Sequence, residues 1–298
     1  MNATTRYCAV YGHPVKHSAS PAFQNAGLAA LGLNWRYLAF DVPPEQLREA
    51  ILGAQRMRFI GVNLTVPHKL LAVGMVDALD ESARSWGAVN TIRFEARTPS
   101  GEWKPLALFP DEVPPETRSQ GFNTDAGAIT RSVEENLAIS LRGARALLLG
   151  AGGAGRTAAL KLASDGVAEL FLVNRTRSKA EDVAREIRER FPATRCTLDY
   201  PSGPVDLVLN ATSLGLKAGD PLPYDSARFD LSKAGAVYDM IYRPAETPLL
   251  CAAKAAGCRA ANGVGMLLYQ GVKALEIWTG QPAPVAVMRA ALVKNVYG

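Results

Sequence analysis

Residues 150–155 read Gly-Ala-Gly-Gly-Ala-Gly, which has the spacing GxGxxG. An apolar stretch precedes this segment and a helical pattern follows it. Glycines at this spacing allow a tight turn and let backbone N–H groups approach a pyrophosphate at a helix N-terminus. The segment therefore predicts a dinucleotide site built from Gly150, Gly152, Gly153 and Ala154, and a plain strand–helix turn is the alternative.

The residues after the next predicted strand indicate which dinucleotide would bind. Asn174, Arg175 and Thr176 end that strand, and Arg177 and Lys179 come just beyond them. An NAD site normally has Asp or Glu at this place to bond the ribose 2′-hydroxyl. A carboxylate would repel a 2′-phosphate, whereas a guanidinium pairs with it through charge-assisted hydrogen bonds. The pattern favours NADP, and a solvated start to a polar helix is the alternative.

Lys69 is a candidate for chemistry because it stands between a predicted strand and a predicted helix. Asn63 and Thr65 alternate with apolar residues, so they face one side of the end of that strand. A lysine at the start of a helix is electrostatically misplaced against the helix dipole. This placement favours a functional role, and the alternative is a solvated surface lysine.

Two serines, Ser18 and Ser20, stand just before a predicted helix that has Pro21 in its first turn. Two hydroxyl donors together with the N–H groups of a helix start suit a carboxylate. A simple helix cap by Ser20 is an equally good interpretation. The polar groups of Asn90 and of residues 123–125 are, taken singly, ordinary caps.

The elements around these residues alternate between strand and helix, which predicts an α/β fold. Predicted strands cover residues 7–11, 59–65, 88–94, 145–149, 169–173, 196–198, 205–210 and 236–241. Predicted helices cover residues 20–31, 45–52, 69–76, 125–137, 156–164, 178–191, 248–256, 265–278 and 284–296, with a capping box at Ser178 and Glu181. The strands from residue 145 onward predict a doubly wound parallel sheet.

Residues 97–120 break this alternation with five prolines. Because proline cannot donate to a central sheet ladder, the segment is expected to be an exposed excursion or an edge hairpin. Its role is not indicated by the sequence.

Composition narrows the class of protein. The chain has 298 residues, 48% hydrophobic and 20% charged, which is typical of about two globular domains. The net charge of +5 is spread along the chain, which mildly favours small anionic ligands and by itself excludes no partner. No nucleic-acid or membrane partner is expected. No apolar run is long enough for a membrane span or a signal core, and a cytoplasmic protein is expected. Four separated cysteines predict buried free thiols, and three histidines without ligand spacing predict no metal site.

Read in order, the motifs resemble those of the shikimate dehydrogenases, NADP-dependent enzymes of aromatic amino-acid biosynthesis. The matching segments are GHPVKHSASP (12–21), GVNLTVPHK (61–69), GAVNT (87–91), NTDAG (123–127), GAGGAGR (150–156), NRT (174–176), NATSLG (210–215), YDMIYRPAETPLL (238–250) and GVGMLLYQGVKALEIWTG (263–280). The resemblance implies a substrate-binding domain of residues 1–122, completed by helices in 264–298. It also implies a Rossmann-type NADP-binding domain of residues 123–263, with a cleft between the two domains.

The resemblance further implies roles for single residues. Lys69 and Asp125 would be the catalytic pair that assists the NADPH-dependent reduction of 3-dehydroshikimate to shikimate, with the lysine ammonium as proton donor. Ser18 and Ser20 would hold the substrate carboxylate, with Tyr242 nearby. The ring hydroxyls and the reacting oxygen would be surrounded by Asn63, Thr65, Asn90, Asp125 and Gln270. The NADP site would be lined by Gly150, Gly152, Gly153, Ala154, Asn174, Arg175, Thr176, Thr212 and Gly263.

The chain departs from the family pattern at two single positions. Gln24 stands where the family usually has His, and Ala126 stands where it usually has Gly; both are expected only to tune activity. An NAD-preferring quinate/shikimate dehydrogenase and a non-catalytic NADP-responsive regulator are the alternatives. A monomer or a homodimer is expected, with a small-molecule substrate.

Overall fold

The computed structural model describes residues 1–298 and divides them into two compact units. The first unit is Met1–Asp125 together with Gln270–Gly298, and the second is Ala126–Tyr269. Each unit has helices packed around one β-sheet, so the predicted α/β fold class is confirmed.

The elements are numbered in chain order. The strands are β1 (Arg6–Gly12), β2 (Trp35–Asp41), β3 (Gly61–Leu64), β4 (Ala78–Leu79), β5 (Thr91–Arg97), β6 (Trp103–Pro105), β7 (Thr117–Phe122), β8 (Arg145–Leu149), β9 (Glu169–Val173), β10 (Arg195–Thr197), β11 (Val205–Asn210), β12 (Ala234–Asp239) and β13 (Arg259–Asn262). The helices are α1 (Ser20–Ala30), α2 (Leu47–Arg56), α3 (His68–Leu71), α4 (Glu81–Trp86), α5 (Asp125–Leu137), α6 (Gly153–Ser164), α7 (Arg177–Arg190), α8 (Pro248–Ala255), α9 (Val264–Thr279) and α10 (Val285–Tyr297). The longest has 16 residues, and none combines the length and apolar character that a bilayer crossing requires.

The sheet of the first unit contains parallel and antiparallel strands, and it brings four connecting segments together at one end of its strands. Its strand order is β2-β1-β3-β5-β7-β4, and β6 pairs with β5. Since β1 and β3 are parallel, the segments that follow them leave at the same edge. β5 is antiparallel to both β3 and β7, so its first residue lies between their last residues. Four segments therefore meet at this end of the strands. Three of them follow β1, β3 and β7, near residues 12, 65 and 123, and the fourth precedes β5, near residue 90.

The C-terminal segment completes the first unit through a fully buried tryptophan. Trp278 on α9 donates its indole N–H to the carbonyl of Ile92 on β5 at 2.9 Å. Its ring also lies 6.0 Å from the ring of Tyr37 on β2. A buried Trp of this size contributes roughly 3–5 kcal/mol relative to Ala, so residues 270–298 are part of this core.

The second unit has the predicted doubly wound sheet, in the order β10-β9-β8-β11-β12-β13. All neighbouring strands are parallel. Strands buried on both faces read as continuous apolar runs, and β8 is Arg-Ala-Leu-Leu-Leu with four buried residues. The order reverses between β8 and β11, and ligands bind at the carboxyl ends of strands beside such a switch point.

The proline-rich stretch is not simply an exposed excursion or an edge hairpin. β6 does form a hairpin with β5. β7, however, lies inside the sheet between β5 and β4, and it begins within the predicted excursion. Ser119 of β7 is buried and its Oγ and N–H both donate to Asp77. The prolines stop at Pro115, so β7 itself contains none and pairs freely.

Two leucines from this stretch test whether it is packed. Leu106 is fully buried, whereas Leu108, two residues on, is 60% exposed. We expect Leu106→Ala to lower the free energy of unfolding by about 2–5 kcal/mol, because it leaves a core cavity. Leu108→Ala should change it by less than about 0.5 kcal/mol. Denaturant unfolding measures both, and equal small effects would show that the stretch does not pack on the core.

Other sequence predictions need correction. All four cysteines are free, but only Cys8 is buried and Cys251 is exposed. The capping box at Ser178 is wrong, because α7 starts earlier and has Thr176 as its N-cap without a side-chain bond. Glu181 instead pairs with Arg177 at 3.1 Å.

Candidate active site and dinucleotide site

A lysine–carboxylate pair lies at the edge of the first-unit sheet where the four segments meet. Lys69 Nζ is 2.6 Å from Asp125 Oδ2. Lys69 is in α3 just after β3, and Asp125 starts α5 just after β7. The lysine side chain is 32% exposed and the aspartate 11%, so the pair is partly shielded and its charge-assisted bond is strong. The backbone carbonyl of Lys69 also accepts from the N–H of Val89 at 2.8 Å, which holds α3 against the start of β5.

Beside this pair lies a buried network of two asparagines and two threonines. Asn63 Nδ2 is 3.2 Å from the Asn90 carbonyl and 2.9 Å from Thr91 Oγ1. Asn90 Nδ2 is 2.9 Å from Thr124 Oγ1, and the Thr124 N–H donates to Asn90 Oδ1 at 2.7 Å. The structure therefore brings the predicted substrate residues Asn63 and Asn90 together with the catalytic candidates.

Tyr37 on β2 belongs to the same network and was not predicted from the sequence. Its hydroxyl donates to Asn63 Oδ1 at 2.7 Å, and the residue is fully buried. Burial raises the pKa of Tyr37 well above its usual value, the nearby Cys8 raises it further, and a side-chain hydrogen bond from Ser20 acts in the opposite direction. A single tyrosine in a strand that periodicity did not reveal gives no sequence signal of such a role.

The two serines lie in the loop between β1 and α1. Ser18 is half-buried and Ser20 is buried. The N-cap of α1 is Ala19, without a side-chain bond, and the Ser20 N–H lies 3.4 Å from Ser18 Oγ. The alternative that Ser20 caps the helix is therefore wrong, and its hydroxyl is not used by the helix start.

The remaining predicted substrate residues lie on three different segments. Thr65 is half-buried after β3, and its N–H donates to the Tyr11 carbonyl at 2.9 Å. Gln270 is half-buried on α9 in the part that belongs to the first unit. Tyr242 is in the second unit, where burial raises its pKa and Arg243 opposes that shift. Their roles stay predictions.

Gln24, one departure from the family pattern, has a defined structural contact. It is fully buried on α1, and its Nε2 donates to the Gly271 carbonyl at 2.9 Å. Gly271 directly follows Gln270, so Gln24 contacts the backbone beside a predicted substrate residue. Ala126, the other departure, is fully buried at the start of α5.

In the second unit, the glycine-rich turn has the geometry that the sequence predicts. Gly150 has a φ of +106°, and a Cβ at Gly155 would lie 2.1 Å from the Gly150 carbonyl oxygen, so both positions require glycine. Helix α6 starts at Gly153, with Gly152 as an N-cap that offers no side-chain bond. Gly152, Gly153 and Ala154 are exposed, which leaves the first N–H groups of the helix available to an anion.

The turn after β9 adjoins the glycine-rich turn. Asn174 Oδ1 accepts from the Ala151 N–H at 3.0 Å, and its Nδ2 donates to the Thr176 carbonyl at 2.7 Å. Arg175 is exposed and has no ion pair, whereas Arg177 pairs with the glutamate four residues on. Arg175 therefore directly follows a residue that contacts the glycine-rich turn, and its guanidinium has no ion pair.

Thr212 lies after β11, also at the carboxyl edge of the sheet. Its Oγ1 and N–H both donate to Asn210 Oδ1, at 2.8 and 3.0 Å, and Asn210 Nδ2 donates to Asp239 Oδ1 at 3.0 Å. Burial raises the pKa of the Asp239 carboxyl. Gly263 is buried after β13, and its N–H donates to the Ile241 carbonyl at 3.0 Å.

Known families match three parts of the chain. Residues 10–92 match the shikimate dehydrogenase substrate-binding domain. Residues 132–213 match the shikimate/quinate 5-dehydrogenase family, and residues 263–293 match the shikimate 5′-dehydrogenase C-terminal domain.

Complete relatives are also similar over nearly the whole chain. The NADP⁺ shikimate dehydrogenase of Methanopyrus kandleri is 37% identical over 303 residues, which cover 99% of this chain and 98% of the relative. The chain belongs to the shikimate dehydrogenase family. A crystal structure of a shikimate dehydrogenase with NADP⁺ has a TM-score of 0.84 and 33% identity, covering 100% of this chain and 98% of the other. The Thermus thermophilus enzyme with NADP(H) and shikimate has a TM-score of 0.80 and 34% identity, covering 97% and 99%.

Membership in the shikimate dehydrogenase family confirms the resemblance and the α/β fold class that it implied. It also confirms the oxidoreductase class. The residues after β9 favoured NADP, and in agreement the Methanopyrus kandleri relative is named an NADP⁺ enzyme and the first of these crystal structures contains NADP⁺. The substrate and cofactor residues of this chain stay predictions that rest on the geometry described above.

Proposed function

We propose that this protein catalyses the reversible NADPH-dependent reduction of 3-dehydroshikimate to shikimate. The observation that carries the proposal is the 2.6 Å pair of Lys69 and Asp125 beside the buried asparagine network, in a chain of this family. An absorbance assay that follows NADPH formation from shikimate and NADP tests this proposal. Turnover supports the proposal, and binding of NADP without turnover would instead support a non-catalytic regulator.

The substrate would be bound by polar groups of the first unit. The hydroxyl groups of Ser18 and Ser20 suit its carboxylate, and the family resemblance adds Tyr242 as a residue near that carboxylate. Asn63, Thr65, Asn90, Asp125 and Gln270 would bind the ring hydroxyls and the reacting oxygen. Asn63 and Asn90 are already held by the hydrogen bonds described above, so little of their side-chain entropy is lost when the substrate binds.

Proton transfer would be carried out by Lys69. Reduction of a ketone builds negative charge on its oxygen, and an ammonium beside that oxygen can supply the proton as the charge develops. In the oxidation direction the neutral amine takes the hydroxyl proton back. Asp125 holds the ammonium at 2.6 Å, so the lysine is oriented before the substrate arrives.

The second unit fits NADP. The uncapped start of α6 and the exposed residues 152–154 can face a pyrophosphate, and the unpaired Arg175 can face a 2′-phosphate. Thr212 and Gly263 are proposed to line the remainder of the site. When bound, the nicotinamide supplies or accepts the hydride.

Removing the two serine hydroxyls tests the carboxylate site. We expect Ser18→Ala with Ser20→Ala to raise the KM for shikimate more than it lowers kcat, because the carboxylate does not take part in the reaction. Steady-state kinetics measure both constants, and a thermal melt controls for folding. Ser85→Ala is a matched change of a serine that has no proposed role. An unchanged KM would remove the two serines from the site.

A further inference from the structure

The hydrogen-bond capacity of Asn63 is fixed by its neighbours. Its Nδ2 is 3.2 Å from the Asn90 backbone carbonyl, which can only accept, so this end of the amide is the nitrogen. The second amide proton is directed to Thr91 Oγ1 at 2.9 Å. Both protons of Asn63 are therefore used inside the protein, and only its amide oxygen remains for a ligand.

Tyr37 uses one of the two lone pairs of that oxygen. Its hydroxyl lies 2.7 Å from Asn63 Oδ1, and because an amide oxygen only accepts, Tyr37 donates its single proton. The bond is shielded from water, with Tyr37 1% exposed and Asn63 5% exposed. One lone pair of Asn63 Oδ1 is left, so Asn63 can accept a hydrogen bond from a ligand hydroxyl but cannot donate one to a carbonyl oxygen.

Asn90, in contrast to Asn63, has a hydrogen-bond donor left for a ligand. Its Oδ1 accepts from the Thr124 backbone N–H at 2.7 Å, a group that only donates, and one proton of its Nδ2 goes to Thr124 Oγ1 at 2.9 Å. The second Nδ2 proton remains for a ligand. Asn90 can therefore donate to an oxygen that carries no proton, as the Lys69 ammonium also can.

We propose that Tyr37 is a positioning residue that holds Asn63 as an acceptor, so that Asn63 binds a ring hydroxyl that the reaction leaves unchanged. The oxygen that alternates between ketone and hydroxyl then faces the donors Asn90 and Lys69. This inference rests on the proposed function, since it assigns the oxygens of that substrate. If the wild-type protein shows no turnover, the proposed function fails; the inference is tested separately, in variants of an active enzyme.

Tyr37→Phe removes the hydroxyl and keeps the ring that packs 6.0 Å from the Trp278 ring. Without the Tyr37 proton, the Asn63 amide keeps its two donor bonds, but its oxygen loses the bond that orients it toward a ligand. We therefore expect the KM values for shikimate and for 3-dehydroshikimate to rise by the same factor. One neutral hydrogen bond corresponds to about 3- to 10-fold. The kcat and the KM for NADP should stay within about twofold, because Asn63 contacts a group that does not react.

Tyr238→Phe is the matched control. Tyr238 is fully buried in the second unit, and its hydroxyl is 2.7 Å from Ser132 Oγ. Like Tyr37→Phe, the Tyr238→Phe variant loses one buried tyrosine hydroxyl. A thermal melt should therefore show a comparable loss of stability, while the KM for shikimate stays unchanged. Equal KM changes in both variants would mean that the effect of Tyr37 is only structural and would overturn the inference.

A double-mutant cycle tests whether Tyr37 acts through Asn63. In an Asn63→Ala background, Tyr37→Phe should add no further rise in KM. Additive effects would contradict the proposal. If Tyr37→Phe does not fold, a crystal structure of the wild-type enzyme with shikimate tests the inference instead. Asn63 Oδ1 should contact both Tyr37 and a hydroxyl that stays a hydroxyl, and an Asn63 Nδ2 contact to the substrate would overturn the inference.

Discussion

Lys69→Ala should lower kcat for shikimate oxidation by about 10²- to 10⁴-fold, the usual effect of removing a positioned acid–base group. The KM for shikimate should change much less, because the other proposed contacts of the ring and the carboxylate remain. Loss of the lysine leaves Asp125, 11% exposed, without its cation, so a thermal melt must accompany the kinetics. Steady-state rates with saturating NADP measure the effect.

Lys104 provides a matched control in the same unit. Its Nζ lies 3.2 Å from Glu102 Oε2, and both side chains are exposed. Lys104→Ala removes a lysine from a lysine–carboxylate pair outside the proposed site, so its kcat should equal that of the wild type. A kcat of Lys69→Ala within threefold of the wild type would show that Lys69 is not the proton donor.

The second unit could be predicted closely from the sequence because its strands are buried on both faces. The predicted bounds of β8, β9 and β11 are those of the structure, as are those of α5. Parallel strands of this kind are short apolar runs between turn residues. β13, with the sequence Arg-Ala-Ala-Asn, was missed because an edge strand of small and polar residues lacks that signal.

The first unit was harder to predict because its sheet is mixed and has exposed edges. β2 is an edge strand whose last four residues are exposed, and β4 has only two residues. Their sequences carry neither a continuous apolar run nor a clean alternation. β7 was obscured by the prolines before it, although its own residues pair with β5 throughout.

Site residues could also be predicted only where their function depends on residues that are adjacent in the sequence. The glycine-rich turn and Arg175 can be predicted because each function depends on adjacent residues. The contact between Lys69 and Asp125 joins residues 56 positions apart, and only the strand order brings them together. Tyr37 could not be found at all, since its role depends on a sheet neighbour that no local pattern of residues 35–41 identifies.

Arg175→Ala should weaken NADP binding by about 10- to 150-fold, if Arg175 pairs with the 2′-phosphate. A hydrogen bond to a charged group contributes roughly 1.5–3 kcal/mol, and about 1.36 kcal/mol corresponds to tenfold. NAD has no 2′-phosphate, so its KM should barely change. Arg177→Ala is the matched control, because Arg177 already pairs with Glu181 at 3.1 Å, and it should leave both KM values unchanged.

Adding Asn174→Asp should lower the ratio of kcat/KM for NADP over NAD a second time, because a carboxylate repels the phosphate. The new side chain can still accept from the Ala151 N–H, as Asn174 does at 3.0 Å, but it loses the donor to the Thr176 carbonyl. Asn174→Ala loses both contacts without adding charge, so it separates repulsion from a disturbed turn. The charge effect should shrink at high salt, whereas a disturbed turn would weaken NADP and NAD binding alike at every salt concentration. A wild-type enzyme that already prefers NAD would contradict the assignment of Arg175 and favour the quinate-type alternative.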